Sequence, residues 1–263
     1  MLQLRKRFSK WKYVAFSLAS FAACFIFYWY ISQSVLENKQ LAIFLPTYQK
    51  IFNGAYSIFI DNSERLMYDI FISVSRVAIG FVAAVIVSLP LGILIGSFSL
   101  FEAIFQPLIE FCRYIPVPAL IPVLMAIFGI GEQAKIMLIF VGTFVQLTLM
   151  ISDNISRVSM NYLHAAESMG ATTIENIRLV IFPAASAEIF DSMRICHGWA
   201  WTYVVVAELI ATNDGLGIRI MKLARFIQMP KVFFYIFILG LVGLVLDMLF
   251  RKLKARLFSW AES

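Results

Sequence analysis

The sequence predicts an all-α polytopic membrane protein, with about six transmembrane helices and a semi-polar cytoplasmic loop between the fourth and the fifth. Three observations carry this. Of 263 residues, 61% are hydrophobic and only 14% charged, with a mean hydropathy of +0.83; soluble domains carry roughly 25% charged residues. Long runs free of charge recur along the chain, and a span needs about 20 apolar residues. Basic residues gather at both ends: Arg5, Lys6, Arg7, Lys10 and Lys12 before the first apolar run, and Arg251, Lys252, Lys254 and Arg256 after the last. The positive-inside rule places such ends in the cytoplasm, so the number of crossings is even. Basic residues flanking spans are ordinary, and no nucleic-acid partner is expected. Cys24, Cys112 and Cys196 lie in or beside apolar runs without metal-ligand spacing, and their odd number implies no disulfide framework.

The elements follow in order. Tyr13 to Leu36 is charge-free and forms span one; "FIFYWYISQSV" is too bulky for a cleavage site, so the segment is expected to be retained. Residues 1–36 thus form a basic cytoplasmic N-terminus and the first span. Residues 37–70 are mixed. Leu41 to Ile60 has helical apolar spacing interrupted by Pro46, Lys50, Asn53 and Gly54, and reads as an amphipathic segment at the outer interface. A core domain over 71–250 holds the other spans, and 251–263 is a basic cytoplasmic tail. Val77 to Phe101 is span two, where "GILIG" allows close helix approach. Span three covers roughly Pro107 to Phe128 and carries Pro116, Pro118 and Pro122, each expected to bend it. Irregular backbone at membrane depth is tolerated only against protein or a water-filled cavity. Lining a pathway and packing as a kinked helix both fit. Span four is Ile136 to Ser152. Span five runs from about Ile189 to Ala211 and is polar enough to require a place inside a bundle. Residues 212–230 form a second outer segment before span six, Val232 to Phe250. Arg219, Lys222, Arg225 and Lys231 in or beside that segment run against the positive-inside bias.

The linker 153–183 is patterned. Leu163, Ala166, Met169 and Gly170 share a helical face, with His164, Glu167 and Ser168 turned elsewhere. Gly170 is placed to end this helix. Thr172-Thr173-Ile174-Glu175 has capping-box spacing, so a second helix starts at about Thr173 and presents Ile174, Ile177, Val180 and Ile181 on one side. Pro183 marks the next expected boundary. An amphipathic connector resting on headgroups and a surface shaped for another protein both fit this spacing.

The stretch "HAAESMGATTIENIRLVIFPAA" resembles the EAA loop of permease subunits in bacterial binding-protein-dependent ABC importers. The family pattern is Glu-Ala-Ala, three residues, Gly, nine residues, then Ile-x-Leu-Pro. Ala165, Ala166, Gly170 and Pro183 match in register; Val180 and Phe182 are conservative variants, and His164 stands where the family usually has Glu. "SRVAIGFVAAVIVSLPLGILIGSF", "RYIPVPALIPVLMAIFGIGEQAKI" and "GWAWTYVVVAELIATNDGLGIRI" resemble further segments of the nitrate/sulfonate/taurine-type branch. The resemblance implies a type I ABC importer permease fold in the bacterial inner membrane. It implies a permease homodimer forming the pathway. It also implies ATP and Mg held by separate cytoplasmic ATPase subunits, a periplasmic or lipid-anchored solute-binding protein, and coupling through His164, Ala165, Ala166, Glu167, Met169, Gly170, Ala171 and Pro183. The substrate implied is a small anion or organic solute such as nitrate, a sulfonate or taurine. Consistent with this, the chain lacks the G-x-x-x-x-G-K-[ST] phosphate loop.

Charged groups in spans pair or face water. Arg194 is spaced to pair with Asp191, and His197 between Trp199 and Trp201 reads as a packed helix residue. Glu208, near the outer end of span five, fits a gate, a partner-loop contact or a structural role. Arg113 fits either attraction of an anionic solute or snorkelling to the inner interface. Together with Pro116 and Pro118 these are the candidate pathway residues. An intramembrane enzyme using Glu208, Asp247 or His197 lacks any HExxH or GxSxG constellation. An ion-coupled transporter acting alone would show repeated halves, and none is visible.

Overall fold

A computed structural model describes residues 9–36, 38, 41–61, 63–209 and 212–261. Arg5, Lys6 and Arg7 of the basic N-terminus, and Ile210 and Ala211 at the expected end of span five, lie outside the described residues. The chain divides into two compact units, one of residues up to Ser63 with Lys222–Phe234, the other of Glu64–Met221 with Tyr235 onwards.

The first unit begins with α1, Lys10–Ser34, which is largely apolar on all faces and mostly exposed, with Ser32 buried near its end, as suits a helix facing lipid. Pro46 separates the short α2, Leu41–Phe44, from α3, Tyr48–Asp61. At 14 residues α3 is about 21 Å long, short of the roughly 30 Å hydrocarbon thickness. The Tyr28 hydroxyl donates to the Pro46 carbonyl at 2.7 Å, and Tyr48 donates to the Phe25 carbonyl at 2.8 Å, tying α1 to this segment. A side chain at Gly54 would meet Pro230 Cβ at 3.2 Å, so α3 packs closely on the start of α12, Met229–Leu257.

The second unit is organised on α4, Ser63–Ser97, and α7, Glu132–Ser156. These helices touch backbone to backbone. A Cβ added at Gly80, Gly92 or Gly96 would come within 2.8 Å of Ile139, 2.7 Å of Ile151 and 2.6 Å of the Ser152 carbonyl oxygen, respectively. Small residues at this seam allow the approach on which helix association in lipid depends. α4 starts well before the expected span at Val77, because Asp69, Ser73 and Arg76 are buried on its inner face rather than left outside the membrane region. It ends at Ser97, where extended Phe98 leads into α5, Ser99–Arg113.

The expected third span is not one kinked helix. α5 stops at Arg113, the chain turns by 94°, and Val117–Leu120 forms a 3₁₀ turn leading into α6, Ile121–Phe128. Pro116 caps that turn, Pro118 sits in it, and Pro122 lies in the first turn of α6. Three residues without an N–H, so close together, end one helix and start another instead of bending one.

By length and composition, four helices among the described residues are suited to cross a membrane, and a fifth if α5–α6 counts as one bent span. The remaining expected crossing, α10, Phe182–Glu208, has 27 residues and a length of about 40 Å. Its polar residues keep it from qualifying alone, and it packs along α7 inside the unit, as its composition predicted. Cys196, Ala200 and Val204 are fully buried there, and Asn154 of α7 donates to the Ser192 hydroxyl at 2.7 Å. Trp201 Nε1 donates to the Leu239 carbonyl at 3.0 Å, joining α10 to α12. At the other end of the same pair, Arg194 meets Asp247 at 3.1 Å and Asp191 at 3.9 Å, and Lys254 meets Asp191 at 2.5 Å. His197 packs against Phe81 and Phe250, with ring centroids 5.3 and 5.0 Å away.

Gly92→Leu should therefore separate α4 from α7 and lower the thermal stability of the purified protein. Gly198→Ala, where the added methyl meets open space on α10, should leave stability unchanged or raise it by up to about 1 kcal/mol. Thermal unfolding in mild detergent distinguishes the two.

Candidate functional site

The linker forms a helical hairpin. Ser159 caps α8, Met160–Ser168, by accepting from the Asn161 amide at 3.4 Å. Gly170 ends it at φ +87°, where an L side chain is strained, and the Ala171 amide returns to the Ala166 carbonyl at 3.0 Å. The expected capping box is present: the Glu175 amide donates to Thr172 Oγ1 at 3.4 Å, and Glu175 Oε2 accepts from the Thr172 amide at 2.8 Å and its hydroxyl at 2.7 Å. These bonds hold the Glu175 carboxyl below its usual range. The cap therefore stabilises the loop above the ordinary carboxylate range and is lost as pH falls through the lowered value.

The short α9, Thr173–Glu175, does not stop before Pro183. It widens into a π-helical stretch, Asn176–Ile181, that runs directly into α10. Pro183 marks this change of pitch rather than a helix boundary, since the wide turn absorbs the missing proline donor. The inner side of the hairpin is Ala166, Asn176 and Ile181. Met169 does not join Ala166 on that side: it is 82% exposed, as Ile174 is at 76% and Leu179 at 67%. His164, Ala165, Glu167, Gly170 and Pro183 are exposed too, and His164 Nδ1 lies 3.5 Å from Glu167 Oε2. The loop thus presents small, apolar and polar groups together on an accessible surface.

At the opposite end of α10 lies a buried polar cluster, of which the sequence marks only Glu208 as a candidate functional residue. Asp69, Ser73 and Arg76 fall at i, i+4 and i+7 on one face of α4. Arg76 holds Glu132 with both Nε and Nη2 at 2.6 Å, and its Nη1 reaches Glu208 Oε1 and the Asp214 carbonyl at 2.8 Å each. Lys135 adds a contact of 2.8 Å to Glu132. The amides of Gly215, Leu216 and Gly217, which open α11, Leu216–Arg225, donate to Asp69 Oδ1, Ser73 Oγ and Glu208 Oε2 at 3.0, 2.9 and 2.7 Å. A helix N-terminus suits carboxylate acceptors. Gly215 is required twice over, by its φ of +118° and because a Cβ would stand 2.4 Å from Glu208 Cδ. Arg65 bonds Asp214, and Arg219 Nε meets Asp69 Oδ2 at 2.7 Å. Arg219 is thus neutralised locally. The cluster staples residues 212–219 to α4 and α10, and Glu208 is fully buried in it. No group of three or more His, Cys, Asp or Glu residues able to hold a metal occurs among the described residues.

Arg113 lies elsewhere, on a cavity of about 520 Å³ formed by the α5 end, α7 and α10. Ile115 and Val117, which flank Pro116, also line it, whereas Pro116 and Pro118 themselves do not.

Residues 88–259 match the family of binding-protein-dependent transport system inner membrane components. The chain belongs to that family. It is similar to a probable ABC transporter permease protein of Brucella abortus (strain 2308), 33% identical over 84% of this chain and 88% of that protein. It is also similar to the taurine transport system permease protein TauC of Escherichia coli (strain K12), 29% identical over 98% and 96%. The putative aliphatic sulfonates transport permease protein SsuC of Bacillus subtilis (strain 168) is 33% identical over 76% and 73%. Among solved structures, the inward-facing MetNI methionine ABC transporter matches with a TM-score of 0.64 at 18% identity, over 73% of this chain and 95% of that one. This likeness establishes the ABC importer permease fold. The matched family covers the loop and Glu208 but begins after Asp69, Ser73 and Arg76.

Arg76→Met should destabilise the protein by about 3–5 kcal/mol, because it strands the buried Glu208 without its cation. Arg76→Met combined with Glu208→Met should be less harmful than the two single effects summed. A thermal-unfolding double-mutant cycle measures this; strict additivity would show that the pair is not coupled.

Proposed function

We propose that two copies of this chain form the solute pathway of an inner-membrane importer. The loop 153–183 docks on cytoplasmic ATPase subunits, which hold the ATP and Mg, and a periplasmic or lipid-anchored binding protein delivers the solute. Both termini and the loop face the cytoplasm, and residues 37–70 and 212–230 face outward. The solute is a small anion or organic molecule of the nitrate, sulfonate or taurine kind, in keeping with what the relatives are named for.

The observation that carries the coupling role is the exposed hairpin. Met169, Ile174 and Leu179 are large apolar groups left accessible beside Ala165 and Gly170, on a segment ordered by its own caps. Apolar residues on a rigid, capped unit are what a partner groove requires. Its direct continuation into α10 gives a mechanical path: a push on the hairpin moves the helix packed along α7. Glu167, within reach of His164, supplies the acidic group that the family usually carries at the position of His164.

Co-expression with the cognate ATPase tests this reading. The solubilised chain should co-purify with a subunit bearing a phosphate loop. Gly170→Arg should abolish ATP-driven uptake while leaving the permease folded, since an added side chain meets no neighbour there and the strain at φ +87° costs only about 1–2 kcal/mol. No co-purified ATPase, together with undiminished uptake by the variant, would overturn it.

A further inference from the structure

Resting on the permease reading above, we propose that the cavity between α5, α7 and α10 is a solute subsite for monoanions with an apolar body, anchored by Arg113. Its volume, about 520 Å³, lies within the roughly 300–1,000 Å³ of small-molecule sites. Among the described residues that line it, Arg113 is the only charged one, and no carboxylate is present. Arg76, Arg194, Arg219 and Arg251 each meet a carboxylate within the protein. Arg113 meets none among the described residues; its guanidinium stacks over the Tyr114 ring at 5.2 Å and donates one bond of 3.2 Å to that hydroxyl. The rest of its donor fork is open to a bidentate anion.

Apart from Gln146, the walls are apolar. Phe140 and Phe144 stack at 5.6 Å on one side, and Trp199 and Tyr203 stand on the other. Gly142 fixes the width: a Cβ there would lie 2.6 Å from Tyr203 Cε2, so only glycine lets that ring rest against α7. A small inorganic oxyanion would exchange its hydration shell for one guanidinium, the Gln146 amide and aromatic faces, a poor trade. A sulfonate or carboxylate head on an alkyl body uses both features, the head on Arg113 and the body against the rings. The single positive charge disfavours cations.

Cys112 also lines the cavity and serves as a native probe. The permease–ATPase complex in nanodiscs is treated with N-ethylmaleimide, and modification of Cys112 is followed by peptide mass spectrometry with 1-butanesulfonate, nitrate or butylammonium present. Butanesulfonate should protect Cys112 saturably, and nitrate and butylammonium should not at equal concentration. Arg113→Gln should raise the half-protecting concentration about tenfold or more, as loss of a charge-assisted bond does, and Arg113→Lys should restore part of it. Gly142→Ala should remove protection by driving the Tyr203 ring into the cavity. Absent protection, equal protection by nitrate, or protection unchanged in Arg113→Gln would overturn the subsite. ATP-driven uptake by the same complex separates the two readings: intact uptake without protection refutes the subsite alone, whereas a chain that assembles with no ATPase refutes the permease reading itself.

Discussion

The buried pairing of Arg76 with Glu208, extended to the half-exposed Glu132, sets the terms for the rest of the second unit. A guanidinium among apolar helices is tolerable only when its donors are satisfied, and here two carboxylates and a backbone carbonyl satisfy them. That requirement brings α4, α7 and α10 to fixed relative positions at one end. It also orders residues 212–219, whose successive amides take up the remaining lone pairs of Asp69, Ser73 and Glu208. The charge on α4 is therefore an organising element of the fold.

Lower along the same helices, steric fit replaces charge. Gly80, Gly92 and Gly96 let α4 lie against α7, and α7 in turn carries α10. Because α10 continues without a break from the hairpin, this one stack connects an exposed surface at one end to the buried ionic cluster at the other. The aromatic-walled cavity opens beside that stack, where the proline-rich break leaves α5 and α6 as separate helices. An exposed hairpin, a long helix and a cavity thus share α10 as a common member.

Much of this was legible in the residues. The charge-free runs located α1, α7 and α12, and Gly170 with the Thr172–Glu175 spacing located the hairpin caps. Other features were not, for physical reasons. The charge-free run places the start of span two at Val77, later than α4 begins, because Asp69 and Arg76 are charged and their partners sit 150 and 132 residues away at Arg219 and Glu208. No local pattern reveals such pairs, although i, i+4, i+7 polar spacing beside an apolar run was a usable sign. Three clustered prolines announced irregular backbone but not whether it would be a kink or a 94° turn. Pro183 looked like a stop because a widened π turn, which removes the clash, leaves no mark in composition.

The central claim is that the hairpin hands the work of a partner ATPase to α10, and contact between the two chains tests it most directly. Met169, at 82% exposure, offers the place for a single introduced cysteine, Met169→Cys. In the assembled complex a bifunctional maleimide should link it to a cysteine in the ATPase groove, with a yield that changes when ATP is bound. A complex that assembles and hydrolyses ATP, yet gives no adduct from position 169 or from its exposed neighbours Ile174 and Leu179, would contradict the account.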